Sequence, residues 1–436
     1  MKPLRRSNIL LLLAACLSFT GVKAQRASVN CGTKTATGNT QVQVQIPQID
    51  GLESLASLAA VPFSEVSSES LESLASLENF EDVPVAAKVG SAVVVINGAV
   101  QPEPFAAEKH KNLTRTFKVK STDKLSIENQ FGEVTVQTWA RNEIAVEVNI
   151  VTRAATDAKA QEIMDRIDVE VSERGNVIAF VTNLQPMQIR SSSMKSFEVN
   201  YIIKMPKINP LHISHRFGNV HLPNFEGTTD ITVKHGGIMA GRLTNKQNSI
   251  VLEHARGDNS VEYLKAADLR IRHSTFKITE ADQLVLNSAH SMITIGKVET
   301  LSVESQHDPV FKMGSVNQLS GKGSFTVFKL GNLTESAKLD LRHGPKFEIG
   351  SVGQNFKRID INGEFTQINL NFSDKNAFNF DVNTEHCTGL RANPDLVKLN
   401  FKEVRNTSAS YKGNYGTTSP KGVVVVNAKH GSVAFN

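Results

Sequence analysis

Beyond Pro210 the chain repeats a short apolar unit, and that repeat limits the fold more than any other feature of its 436 residues. Each unit has two apolar residues two apart, a polar or glycine corner, then a second apolar pair. The anchor pairs are Leu211/Ile213, Ile231/Val233, Ile250/Leu252, Leu269/Ile271, Leu284/Leu286, Leu301/Val303, Leu339/Leu341, Ile359/Ile361 and Phe378/Phe380. Corners read as Phe217-Gly218, His235-Gly236, Arg256-Gly257, His343-Gly344, Asn362-Gly363 and His430-Gly431. Glycine is expected there because a tight corner between strands often needs positive φ. A unit this short cannot bury its apolar face alone, whereas turns stacked with parallel strands build one continuous core. The predicted fold is therefore all-β, a parallel β-solenoid (β-helix) of short turns over 211–436. About 12 turns, and a length on the order of 55 Å, follow from the strand spacing.

Two regions precede the repeats. Residues 113–210 read as a strand-rich N-terminal module, with alternating apolar residues at Leu125/Ile127, Val134/Val136 and Ile144 to Ile150. Further strands are expected at Ile178–Val181 and Phe197–Ile203, and one helix at Asp157–Ile167 with Asp157 as its cap. Met205-Pro206 and Pro210 break this module from the repeats. Residues 25–112 are low-complexity and acidic, with Leu-Glu-Ser-Leu-Ala-Ser-Leu at both Leu52–Leu58 and Leu71–Leu77. Two readings stand for this arm, a flexible acidic tail or two short helices capping an apolar end of the next domain.

The first 24 residues carry a basic start (Lys2, Arg5, Arg6), an apolar run from Ile9 to Val22, and Val22-Lys23-Ala24 at the place a signal peptidase reads. A secretory signal peptide cleaved after Ala24 is expected. The alternative is a lipoprotein signal at Leu13-Ala14-Ala15-Cys16, with Cys16 acylated. Removing 1–24 takes away four bases and no acid, so the formal charge falls from +5 to +1. A nearly neutral mature chain gives no electrostatic footprint for nucleic acid, and no later apolar run is long enough to span a bilayer. Cys31 and Cys387 would enter an oxidising compartment either as one disulfide or as two thiols. The expected location is exported: periplasm, outer-membrane surface or extracellular.

Several motifs resemble a known family. Asn129-x-Phe131-Gly132-x-Val134, Trp139 with Asn142-Glu143-Ile144, the Tyr201–Pro206 strand, Phe217-Gly218-Asn219-Val220 and Tyr411-Lys-Gly-Asn-Tyr-Gly are similar to the bacterial putative-adhesin families with a β-helical, head-GIN-like domain. The resemblance covers about 113–436. It implies an exported cell-envelope protein with an adhesive or scaffolding role, and it carries no catalytic, cofactor or metal residues onto this chain.

His215, His235, His254, His273 and His343 each stand two residues after the second anchor of a unit, so they are expected to stack near one corner. Such a stripe is either a structural ladder or a metal-binding one. Arg256-Gly257-Asp258 spells an integrin-type tripeptide at a corner position. No CxxC, HExxH, GxSxG, P-loop or GxGxxG pattern is present. The predicted function is a non-enzymatic surface protein that binds an envelope protein or polysaccharide through its faces and self-associates through its ends. A β-helical polysaccharide lyase or glycosidase is the alternative. Its carboxylates would come from Asp258, Asp308, Asp340 and Asp360, which are scattered singly, in a chain with one Trp and four Tyr. No catalytic, cofactor-binding or metal residue is assigned, and no cofactor.

Overall fold

A computed structural model describes residues 106–186, 195–255 and 257–436. The expected signal peptide, Cys16, Cys31, the two Leu motifs of the arm and Arg256 lie outside the described residues. What is described is all-β apart from one helix: 26 strands in one long, mostly parallel, unclosed sheet.

The middle of the sheet is built by regular parallel stacking. β10 (Thr229–Lys234) lies between β8 (Leu211–Arg216) and β12 (Asn248–Glu253). β12 pairs with β13 (Ser260–Arg272), and then β14 (Thr275–Ala289), β15 (Met292–Gln306), β16 (Val310–Ser324) and β17 (Phe328–Arg342) follow in order. Alternation of inward and outward residues makes each rung: Ile231, Ile250, Leu269, Leu286, Val303 and Leu339 are buried in one column, with Gly321 on the rung between the last two. Because side chains alternate with period two, a register fixed at one rung fixes the facing of every neighbour.

The register corrects the sequence-based alignment. His215 pairs with Val233, so Ile213 and His215, rather than Leu211 and Ile213, are the first anchor pair. Leu286 pairs with Leu269, which moves that unit's anchors to Leu286 and Ser288. Apolar pairs two apart recur on both sides of the true position, and matching hydrophobicity alone slides the unit by two.

The strands before Pro210 join the same sheet. β2 (Lys124–Gln130) pairs in parallel with β8, and β3 (Val134–Trp139) pairs with β9 (Asn219–Leu222). The chain then leaves through β4 (Glu143–Ala154), α1 (Asp157–Met164) and β5 (Ile167–Arg174), and returns as β6 (Val177–Leu184) and β7 (Lys195–Pro206) on the outer side of β2 and β3. Antiparallel strands finish that end: β5 on β6, β4 on β7, and β1 (Ala107–Lys118) on β4. The helix cap is Thr156, whose side chain accepts from Lys159 N, and not Asp157. Thr156 has the extended backbone an N-cap needs, while Asp157 is already the first helical residue.

The other end is finished by the same device. β25 (Gly422–Lys429) inserts in parallel between β19 (Arg358–Glu364) and β21 (Phe378–Glu385). β24 (Ser408–Tyr415) pairs antiparallel with β21, and β23 (Val397–Val404) with β24. The last rung in sequence is thus not the last in space. Antiparallel caps limit the run of open backbone groups that a parallel stack leaves at its ends.

Candidate functional surface

Twelve residues at one corner of successive rungs have positive φ without being glycine: Phe131, Phe217, His235, His254, His273, His290, His307, Phe325, His343, Phe365, His430 and His386, with φ from 50 to 61°. Their rings form one column in that spatial order, with centroids 4.6 to 5.0 Å apart and planes within 14° of parallel. Eight are imidazoles, and His235 to His307 are five in a row. The edge of Phe197 closes one end on Phe131.

The left-handed backbone is what turns each corner. A non-glycine residue there costs on the order of 1–3 kcal/mol, and His is among the residue types that enter this region more readily. Stacking on both neighbours offsets part of that cost, at about 0.5–1.5 kcal/mol per aromatic pair. The glycines after several rings serve a different need from the one expected. Gly218 has no positive φ; a Cβ there would stand 1.6 Å from Gly132 O of the preceding rung. Gly therefore answers backbone contact at the corner, and the ring residue supplies the φ. Arg256-Gly257 and Asn362-Gly363, read from sequence as corners, give way to His254-Ala255 and Phe365-Thr366.

Every ring except Phe131 is exposed, with Phe217, Phe325 and Phe365 at 41, 50 and 46%. Ring faces are covered by neighbouring rings, so solvent meets only ring edges. Sugar stacking on these faces is therefore blocked, whereas imidazole nitrogens at the edges remain donors and acceptors. Equivalent nitrogens on parallel rings about 4.9 Å apart also exceed twice a Zn–N bond of about 2.1 Å. Neighbouring rings cannot share one such ion in this arrangement.

Sequence reading placed four of the column's histidines correctly, His235, His254, His273 and His343, and misplaced one. His215 points inward, fully buried, with Nε2 2.8 Å from Gly132 O. Burial pushes its imidazole below the ordinary value, partly offset by the contact with Gly132 O. Phe217 and His430 were placed at corners but not in the stack, and His290, His307, His386, Phe131, Phe325 and Phe365 were missed, although the set carries a signal. From Phe217 to His343, ring residues recur at 17 to 19 residues, more evenly than the apolar pairs.

Asn129 and Phe131 of the Asn-x-Phe-Gly-x-Val turn have separate duties. Phe131 starts the column, while buried Asn129 donates to Val199 O at 2.8 Å and accepts from Thr182 Oγ1 at 2.9 Å. Thr182 in turn meets the Tyr201 hydroxyl at 2.8 Å, and burial pushes that phenol up to about 12.

Beneath the middle of the column runs a buried polar strip. Ala255 N donates to Ser274 Oγ, Ser274 N to Ser291 Oγ, and Ser291 N to Asp308 Oδ1. Ser288 and Ser305 hydroxyls donate to Asp308 Oδ2. Burial raises the Asp308 carboxyl above its usual range against the pull of these hydrogen bonds. The four carboxylates considered for polysaccharide cleavage are not brought together. Asp308 is in this strip, Asp340 is engaged by Asn362, Asp360 by Arg358, and Asp258 is exposed in a loop.

Fold and surface together define an all-β protein of repeated rungs with a long, regular, exposed ring edge. Solved structures similar to it include a putative cell adhesion protein from Clostridium sporogenes (8% identity, 75% of this chain and 99% of that one, TM-score 0.20). Others are a putative adhesin from Bacteroides fragilis (11%, 75% and 97%, TM-score 0.26) and a putative lipid binding protein from Parabacteroides distasonis (10%, 74% and 96%, TM-score 0.28). No protein-family model matches the chain, and no curated protein matches it. No helix among the described residues is long and apolar enough to cross a membrane.

Proposed function

We propose that this chain is an exported, non-enzymatic surface-binding protein of the cell envelope, an adhesin or scaffold whose parallel β-solenoid presents its faces to a partner. The observation that carries this reading is the ring column. Twelve strained left-handed residues stand where asparagine or glycine would turn the corner at lower cost, and eleven of them, all but Phe131, face solvent. Strain held on an exposed repeated edge points to a surface used for contact. The Asn-x-Phe-Gly-x-Val resemblance points the same way. Export rests on the basic and apolar pattern of residues 1–24, and the proposed division of the chain is 25–112, 113–210 and 211–436.

The test exploits the φ values. Glycine accepts the same backbone, so a His254→Gly/His273→Gly/His290→Gly protein should keep its fold while losing the central ring edge. Adherence of the mature chain to envelope preparations should fall at least tenfold with far-UV dichroism unchanged. Adherence equal to the parent protein would show that the ring edge is not the binding face. New reducing or unsaturated sugar ends in the same incubation would overturn the non-enzymatic reading.

A further inference from the structure

A second surface, on the strand side of the rungs away from the ring column, has its own repeat. A shallow trough of about 740 Å³ runs across the rungs from Leu211 to Ser302. Two outward columns line it, and the parallel register fixes their order. In one, Asp230 pairs with Ser249 and Ser249 with Asp268. In the other, Ala266 pairs with Gln283, and Gln247 stands one rung before Ala266, beside Asn248, whose side chain donates to Ala266 O.

The long polar groups therefore alternate. Asp230, Gln247, Asp268 and Gln283 fall on four successive rungs, carboxylate in one column and carboxamide in the other, with Ser249 and Ala266 in the gaps. Each kind recurs every second rung, about 10 Å at the spacing of parallel strands. All four are exposed. Asp230 Oδ2 holds His212 Nδ1 at 3.0 Å, which leaves its other oxygen to the trough.

We propose that this trough binds an extended, uncharged, β-linked glycan lying along the rungs, an inference that rests on the surface-binding reading above. In such a chain successive sugars are rotated by about half a turn, so the hydroxyl pattern on one side repeats with every disaccharide, a length of the same order as two rungs. Carboxylates and carboxamides are the groups that hold vicinal hydroxyls by paired hydrogen bonds. The trough's lining contains no aromatic ring, so recognition is by hydrogen bonds rather than stacking. The lining balances Asp230 and Asp268 against Lys124 and Lys246, so the trough carries no net charge that would favour a polyanionic glycan over an uncharged one. Both aspartates are exposed, and the role proposed for them is binding without cleavage.

The experiment uses the mature full chain with cellohexaose and chitohexaose as probes, read by calorimetry and by release of reducing ends. Expected are binding to at least one hexamer, affinity that rises from disaccharide to hexamer, and no release. Gln247→Ala/Gln283→Ala and Asp268→Ala should each weaken binding at least tenfold, while Lys338→Ala, in the aspartate column but beyond the trough, should change it less than twofold. Absence of binding to both hexamers overturns the proposal, as does binding that the Gln247, Gln283 and Asp268 variants leave intact. Binding of an extended peptide in place of either glycan also overturns it. Adherence to envelope that survives these variants but not the ring-column variant would sink the trough alone and leave the surface-binding reading standing.

Discussion

The same rungs turn two corners by opposite means. At one, a ring residue takes a left-handed backbone and faces solvent. At the other, Thr279, Gly296, Gly314, Gly331 and Gly350 align, and a Cβ on Gly314 would come within 2.3 Å of Gly296 O. The glycine corner is set by how closely backbones approach between rungs, and none of its glycines has positive φ. The ring corner is set by φ, and half of its twelve positions accept a following Ala, Ser, Asp or Thr in place of Gly. One corner is a packing constraint that leaves a side chain only at Thr279 of the five aligned positions, whereas the other displays a ring on every rung.

Substitutions at the points of closest approach break this contrast most severely. Gly218→Ala places a methyl 1.6 Å from a backbone oxygen that has no flexible end to move, so loss of about 3 kcal/mol or more is expected. Gly314→Ala should cost less, about 2 kcal/mol, since the gap is wider. Urea denaturation of both would rank them, and equal stabilities would refute the account of close approach. Beneath the ring corner, Asp308→Ala leaves the Ser288 and Ser305 hydroxyls and Ser291 N without their acceptor, at a cost of about 3 kcal/mol. Asp308→Asn keeps an acceptor and separates charge from hydrogen bonding. Because burial raises the folded carboxyl, its favourable contribution is complete below the ordinary carboxylate range and is lost as pH rises through the raised value. Stability of the parent relative to the Asn variant should accordingly decline with increasing pH above about 4.

Within the ring corner, His273→Val and His273→Gly should diverge. Valine is poorly suited to positive φ and loses the stack, for about 2 kcal/mol. Glycine trades lost stacking against relieved strain and a floppier unfolded chain, so its net effect should stay within about 1 kcal/mol. Thermal melts of the pair measure this, and a glycine variant as unstable as the valine one would mean that stacking, not φ, holds the corner.

Much of this was legible before the structure. Strict alternation at Leu125/Ile127 or Ile231/Val233 announces strands, and the short helix-free unit announces parallel stacking. Register was less legible, because apolar residues such as Leu284 and Leu286 satisfy the same pattern at neighbouring positions. The out-of-order insertion of β25 between β19 and β21 was hidden because local periodicity says nothing about which rung neighbours which. The ring column was half visible: histidine spacing shows it, but Phe325 and Phe365 are a different residue type and join it only through their φ and exposure. The trough was not legible at all, since Asp230 and Asp268 are 38 residues apart in sequence and become a pattern only through Ser249.

His215 gives the smallest expected effect and the sharpest contrast with its neighbours in sequence pattern. It was expected among the corner rings, yet it occupies the inward position that Val233 takes one rung later. Nδ1 is buried with no hydrogen-bond partner among the described residues, while Nε2 is held by Gly132 O. A buried neutral imidazole whose folded value is depressed contributes stability above the ordinary imidazole range, and that contribution is lost as the pH falls through it toward the depressed value. His215→Leu removes both the unpaired nitrogen and the titration, at the expense of the bond to Gly132 O. Near pH 8 the two proteins should differ by about 1 kcal/mol or less; near pH 5 the Leu variant should gain relative to the parent. Replacing an exposed ring, such as His254→Gly, removes no buried imidazole and should leave most of that acid-side loss in place. Denaturant midpoints at both pH values decide it, and parallel pH profiles for parent and His215→Leu would show that the buried ring takes no part in the acid response.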